Sequence, residues 1–149
     1  MSHQSGWINQ WIEKHAGQNY SAHLAGFVEC FNAARFHEAH DVLEDLWLRD
    51  RHGPDGEFHK GLIQLAGAFV HLQRGRPRPA AALLKLSRGR IAAYPEGHLG
   101  MDTRLVRGVI DDWLEALAAA ERGGGQAWAF PQLRFGTLTL GPSRPIVAP

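Results

Sequence analysis

Two stretches of the sequence place polar and apolar side chains with the period of an α-helix, and they constrain the fold more than any other feature. The first runs from 36 to 47 and the second from 61 to 71. Because an α-helix turns about 100° per residue, positions three, four and seven apart share a face. Each stretch therefore sets a few hydrogen-bonding side chains among apolar neighbours. The pattern predicts two core helices with a polar cluster between them.

The polar positions of the two stretches form one candidate site, whose members are His40, Glu44, Trp47, Gln64 and His71. The first three share a side of the first helix, and the other two line up on the second. Polar groups inside a core have to be hydrogen-bonded, so we expect a buried network that fixes the angle between the helices. The indole N–H of Trp47 needs an acceptor, which Glu44, one turn away, is expected to supply.

The same residues also permit a metal site. His40 and Glu44 are four residues apart and can reach one point beside the helix, and His71 would add a second imidazole. Two imidazoles and a carboxylate suit zinc, iron or manganese. Such an ion could activate water for hydrolysis, with Glu38 or Asp41 as the spare carboxylate. The sequence has no HExxH signature and identifies no catalytic residue.

Three acids on another side of the first helix, Glu38, Asp41 and Asp45, form a stripe that is typical of a solvated face. Glu38 lies close to the helix start, so we expect it to bond the preceding turn. Four other histidines are expected in or near loops or on polar faces and are not expected to act as metal ligands: His37, His52, His59 and His98.

Turn and cap signals divide the chain into helices at about 21–31, 36–48, 55–73, 80–94 and 102–121. Gly75 suits a left-handed helix cap, Pro77 or Pro79 suits the first turn of a helix, and Asp102 suits an N-cap. The helix at 55–73 is apolar nearly all round and is expected at the centre. Its Gly61 and Gly67 cost helix propensity, which close packing of a neighbouring helix would explain.

We predict an all-α, single-domain antiparallel bundle of about five or six helices, formed by residues 19–122. Residues 1–18 contain Trp7, Ile8, Trp11 and Ile12 at helical spacing and are expected to form a short N-terminal helical arm. Residues 123–149 begin with a run of three glycines and contain four prolines, so we expect an extended C-terminal arm.

Charge and composition limit the partners. The chain has 149 residues and a formal net charge of +1, which favours no polyanionic partner. Residues 74–107 hold eight bases against two acids, so weak nucleic-acid binding through this segment is kept only as a third alternative. Cys30 is the only cysteine, and no apolar run is long enough for a signal peptide or a membrane helix. We therefore expect a cytoplasmic protein without a membrane partner.

At the two helical stretches the sequence resembles the domain of unknown function 309 family of small bacterial and archaeal proteins. The matching residues are Phe31, Asn32, Phe36, the run Glu38-Ala39-His40, Glu44, Trp47, the run Gly61-Leu62-Ile63-Gln64, Ala66, His71, Gly75 and the run Ala82-Leu83-Leu84. The resemblance covers roughly residues 27–95. One departure is Arg76, where the family pattern usually has an asparagine. The resemblance implies a single all-helical domain and no established activity.

Three functions follow from these observations, in order of preference. The first is a non-catalytic helical domain that binds an unknown protein partner or a second copy of itself, with the polar cluster as a structural network. The second is a metal-dependent hydrolase with His40, Glu44 and His71 as ligands. The third is the weak nucleic-acid binder.

Overall fold

A computed structural model of the chain describes residues 22–123, and this part folds into five α-helices and one short 3₁₀ helix. The helices are α1 (Ala22–Asn32), α2 (Phe36–Arg49), α3 (Gly56–Gln73), α4 (Pro77–Ala92) and α5 (Thr103–Arg122), with the 3₁₀ turn at His98–Gly100 between the last two. No strand occurs in residues 22–123. The predicted all-α class is confirmed.

The helix ends follow from local chemistry. Gly75 has a φ of +70°, a left-handed conformation that costs a glycine little, and it ends α3. Pro77 stands in the first turn of α4, where its missing N–H has no helical partner to lose. The Asp102 carboxylate accepts a hydrogen bond from the backbone N–H of Leu105 at 3.0 Å and caps α5. These three predicted end signals are confirmed.

Consecutive helices pack against each other and run in opposite directions. Between α1 and α2, Phe31 contacts Phe36 near the shared turn, whereas His23 reaches Asp45 at the far ends. The pairs Trp47 with Lys60 and Phe36 with Phe69 place α3 antiparallel to α2. The pairs Glu57 with Arg90 and Gly61 with Ser87 do the same for α3 and α4. The pairs Arg78 with Glu121 and Arg88 with Asp111 extend the pattern to α5.

Aromatic rings around Phe69 form the middle of the core. The Phe69 ring lies 5.5 Å from Phe31 of α1, 5.0 Å from Phe36 of α2 and 5.4 Å from Trp113 of α5, measured between ring centroids. Edge-to-face and offset contacts at such distances are favourable beyond the area that they bury. Since α4 packs on α3 as well, α3 contacts all four of the other helices, in agreement with its expected central position.

Close packing of α3 on α4 occurs at one of the two predicted glycines. A Cβ atom on Gly61 would lie 3.0 Å from Ile91 Cγ1 and 3.2 Å from Arg90 Cβ, so a larger residue here would push α4 away slightly. At Gly67 the nearest atom, Leu83 Cδ1, would be at 3.4 Å, an ordinary contact. The close approach predicted for Gly61 is therefore found, and at Gly67 a methyl group would fit.

The predicted arm at 1–18 and the predicted tail at 123–149 lie outside the described residues, apart from Gly123 at the end of α5. The domain boundaries drawn from the sequence remain predictions. Within the described part, no helix combines the length and the apolar character that crossing a membrane requires.

Candidate polar site on helix α2

His40, Asp41 and Glu44 form a compact group of possible metal ligands on α2. One ligand atom from each residue lies within 4.8 Å of the other two, and all three side chains are half-buried. His40 Nδ1 is 3.1 Å from Asp41 Oδ1. Positions i, i+1 and i+4 of a helix allow this convergence, because the two outer residues share a face and the middle one turns toward it. In residues 22–123 this is the one such group.

His37 extends the group by one turn toward the start of α2. Its Nδ1 lies 3.4 Å from Asp41 Oδ2, the carboxylate oxygen that His40 does not contact. Asp41 therefore stands between two imidazoles. A contact of this kind orients a ligating carboxylate in known metal sites. His37, which the sequence interpretation left without a role, is a neighbour of the group.

Trp47 continues the same side of α2 beyond Glu44, and its ring is covered by a cation. The Lys60 ammonium of α3 lies 4.4 Å from the ring centroid, a cation–π contact. The indole Nε1 is buried and has no hydrogen-bond partner among the described residues. The expected bond from Trp47 to Glu44 is therefore absent, and a buried donor of this kind costs about 1–3 kcal/mol.

Gln64 and His71 of α3 belong to different surroundings from the α2 group. Gln64 Oε1 accepts a hydrogen bond of 3.3 Å from Arg90 of α4. His71 does not belong to the group of converging ligand atoms, and its Nδ1 is buried without a hydrogen-bond partner in residues 22–123. The structure thus brings together two of the three predicted ligands, His40 and Glu44, and adds Asp41. The role of His71 as a ligand stays a prediction.

The expected cluster is not fully inside the core. Its members His40, Glu44, Trp47, Gln64 and His71 are all half-buried. The buried side of α2 is centred instead on Phe36, Ala39, Val42 and Leu43, which are at most 2% exposed. The polar residues line the edge of that buried face, where a solvent molecule or an ion can reach them.

The acidic stripe differs from its prediction at Asp45. Glu38 accepts hydrogen bonds from the Arg35 guanidinium in the turn before α2, as expected from its position near the helix start. Asp45, in contrast, is only 6% exposed, and its Oδ2 lies 2.8 Å from Nε2 of His23 in α1. The prediction of a solvated Asp45 was wrong because α1 packs over this side of α2. The sequence did contain a signal for the burial of His23, because helical spacing places it on the same face of α1 as Phe27 and Cys30.

A second set of polar residues lies where α1 begins, α2 ends and α3 begins, and we call it the histidine–aspartate cluster (His23, Asp45, His59, Asp55 and His98). His98 Nε2 is 2.8 Å from Asp55 Oδ1, so Asp55 binds this imidazole instead of capping α3 with its side chain. His59 is only 9% exposed. The sequence interpretation placed His59 in or near a loop or on a polar face. It lies near the start of α3, directly after a loop, and its burial was not predicted.

The basic segment 74–107 is largely neutralised within the fold. Five of its eight bases pair with acids at 2.6–3.6 Å: Arg78, Arg88, Arg90, Arg104 and Arg107. The Glu96 carboxylate accepts hydrogen bonds from Arg104 and Arg107, which lower the pKa of Glu96. Pairing of this kind reduces the positive field that a nucleic acid would meet. Binding of nucleic acid by this segment was the third alternative and stays untested.

Comparison with known proteins supports the family expected from the sequence. A family model described as "Domain of unknown function (DUF309)" matches residues 24–83. An uncharacterized protein of Aquifex aeolicus (strain VF5) is 25% identical over 84 residues, which is 56% of this chain. The chain spans only 25% of the length of that relative. The matched segment contains α2 and α3 with the whole α2 group. Residues 24–83 of this chain are thus similar to the DUF309 family, for which no function is described.

Proposed function

We propose that this domain binds a divalent transition-metal ion through His40, Asp41 and Glu44. The observation that carries the proposal is the convergence of one ligand atom from each of the three residues within 4.8 Å. One imidazole and two carboxylates form a donor set that suits manganese, iron or zinc. The half-buried setting leaves solvent to complete the coordination shell.

The site can bind a metal ion without a change in the backbone of α2, because its donor atoms already lie close together. The hydrogen bond between His40 Nδ1 and Asp41 Oδ1 already holds two of the donors 3.1 Å apart. A metal ion takes the place of the shared proton, because ligands bind metals in their deprotonated forms. Helix α2 supplies all three donors, so the site needs no other element to be assembled. The contact from His37 then orients Asp41 from behind.

Metal titration of the purified, chelator-treated protein tests this proposal. We expect one manganese, iron or zinc ion per chain by calorimetry and elemental analysis. Asp41→Asn and Glu44→Gln keep the size of the side chain but remove its charge. Each should weaken metal binding by more than about tenfold, because about tenfold is the lower limit of the loss seen when a residue that only supports a ligand is changed. Asp112→Asn, an exposed aspartate on α5, is the matched control and should bind as the wild type does. Equal affinity in all four proteins would contradict the proposal.

His71→Ala in the same titration separates the two ligand sets. Unchanged affinity would place the ion on α2 alone, whereas a loss equal to that of Glu44→Gln would favour the set predicted from the sequence. The hydrolase alternative requires a bound water and a substrate in addition to the ion, and we propose metal binding only.

Binding of a protein partner or self-association was the first expectation from the sequence and stays a prediction. The large apolar side chains that are most exposed in residues 22–123 are Leu48 at 43%, Leu86 at 49% and Leu99 at 37%. They belong to α2, to α4 and to the 3₁₀ turn. Single exposed leucines are ordinary on protein surfaces, so they do not favour one partner surface.

A further inference from the structure

Three separate elements meet around His59, near the start of α3. His59 follows the first turn of the helix, which begins after Asp55. From α1, His23 contributes an imidazole whose Nε2 lies 2.8 Å from Asp45 of α2. From the 3₁₀ turn, His98 contributes another, whose Nε2 lies 2.8 Å from Asp55. The histidine–aspartate cluster thus ties the start of α1 to the end of α2, and the turn after α4 to the start of α3.

One ring nitrogen of His59, Nε2, is buried without a hydrogen-bond partner among residues 22–123. The residue as a whole is 91% buried. Burial lowers the pKa of His59, because a charged imidazole loses its hydration there. The negative charges of Asp55 and Asp50 oppose this effect, and the positive charges that His98 and His23 can carry reinforce it.

We propose that the histidine–aspartate cluster is a pH-sensitive closure, which opens in mildly acidic solution when His59 takes up a proton and turns outward to water. A protonated ring in the closed state would hold a charge and an N–H donor away from water without an acceptor. The parts expected to move are the start of α1 and the turn at 97–100, which contain His23 and His98, the two other histidines close enough for their charges to act on His59. The body of α3 stays packed, because Leu62, Leu65 and Ala66 are fully buried in the core.

The turn at 97–100 is a suitable moving part. Gly97, Leu99 and Gly100 all have positive φ, at +80°, +55° and +83°, and Leu99 has no glycine freedom to accommodate this conformation. The turn is held on the body by the ring of His98, which packs against Phe58 at 4.8 Å between centroids and bonds Asp55. Release of that ring would remove both of these contacts between the turn and the body.

The direction of the pH effect follows from linkage. His59 has a lower pKa in the closed state than in an open state, where it returns to about 6.5, the ordinary value for histidine. The closed state therefore has its full stability above about pH 6.5 and loses it as the pH falls below that value. The population of the open state should rise by up to about tenfold per pH unit in this range.

Hydrogen–deuterium exchange of the full chain in metal-free buffer at pH 7.5 and pH 5.0, corrected for intrinsic exchange, tests this inference. We expect faster exchange at 22–26 and 97–102 at the lower pH, by about tenfold or more, and unchanged protection at 62–72. His59→Leu removes the titrating group and should abolish the pH effect. His52→Gln replaces an exposed histidine of the neighbouring loop and should retain it.

An NMR titration of the His59 ring in the wild-type protein provides a test that requires no variant to fold. A folded-state pKa at or above the ordinary histidine value would overturn the inference. It would also be overturned by the same pH effect in His59→Leu, or by no change in exchange of the wild type between the two pH values. Metal binding on α2 plays no part in these results, so they are independent of the proposed function.

Discussion

The aspartates of this protein differ widely in their exposure to water. Asp45 is 6% exposed and contacts both His23 and Arg49, whose Nη2 lies 3.1 Å from Asp45 Oδ2. Asp112, in contrast, is exposed on the outer side of α5. A buried carboxylate with partners on two helices fixes their relative position, because its hydrogen bonds cannot be replaced by water.

Replacing Asp45 by alanine should therefore destabilise the fold. The change leaves the His23 ring buried without its carboxylate, and we expect the free energy of unfolding to fall by about 2–4 kcal/mol. Urea denaturation at pH 7.5 in metal-free buffer, followed by circular dichroism, measures this loss. Asp112→Ala is the matched control and should change stability by less than about 0.5 kcal/mol. Equal losses in the two variants would mean that the contact between α1 and α2 contributes nothing.

At the scale of elements, the contact between α3 and α4 depends on a small residue and one hydroxyl group. Ser87 is fully buried, and its Oγ donates a hydrogen bond of 2.7 Å to the backbone carbonyl of Gly61. A methyl group on the same glycine would lie 3.0 Å from Ile91 Cγ1, so Ile91 would have to shift to make room for it. On the outer side of α4, Gly89 has no atom within 4 Å of the position that a Cβ would take. The two glycines thus have opposite structural roles.

Alanine substitutions at these two glycines should change stability in opposite directions. In Gly61→Ala an overpacking cost of about 1–3 kcal/mol exceeds the gain in helix propensity of about 1 kcal/mol. In Gly89→Ala only the gain remains, so the melting temperature should rise. Thermal denaturation of both variants beside the wild type measures the difference. A Gly61→Ala protein as stable as Gly89→Ala would show that the two helices do not pack this closely.

Helix ends were predictable from the sequence, whereas the surroundings of the polar residues were not. Gly75 and Asp102 act through their own backbone or their own turn, so local sequence contains the information. The rotational position of α2 depends on what packs against it. Phe36 and Leu43 are compatible with a buried face that includes His40, and only the structure shows that the face is centred toward Ala39. The burial of Asp45 requires contact with His23 of α1, which is distant in sequence.

At the scale of the whole molecule, one aromatic ring of α3 contacts three other helices. The Phe69 ring contacts α1 through Phe31, α2 through Phe36 and α5 through Trp113. It is 1% exposed. Removing one ring therefore weakens three helix contacts at the same time. A domain of this size has a total stability of about 5–15 kcal/mol, so such a loss is a large share of it.

Phe69→Ala should accordingly reduce the free energy of unfolding by about 3–5 kcal/mol and leave a single cooperative transition, because α1, α2 and α5 lose the same partner. Leu86→Ala, on the exposed side of α4, is the control and should change it by less than about 0.5 kcal/mol. Phe69→Leu keeps apolar volume and should lie between them, which preserves the test if the alanine variant does not fold. Denaturant unfolding followed by circular dichroism and by tryptophan fluorescence measures all three. Two separate transitions in the wild type, or a Phe69→Leu protein as stable as Leu86→Ala, would contradict a core shared through this ring.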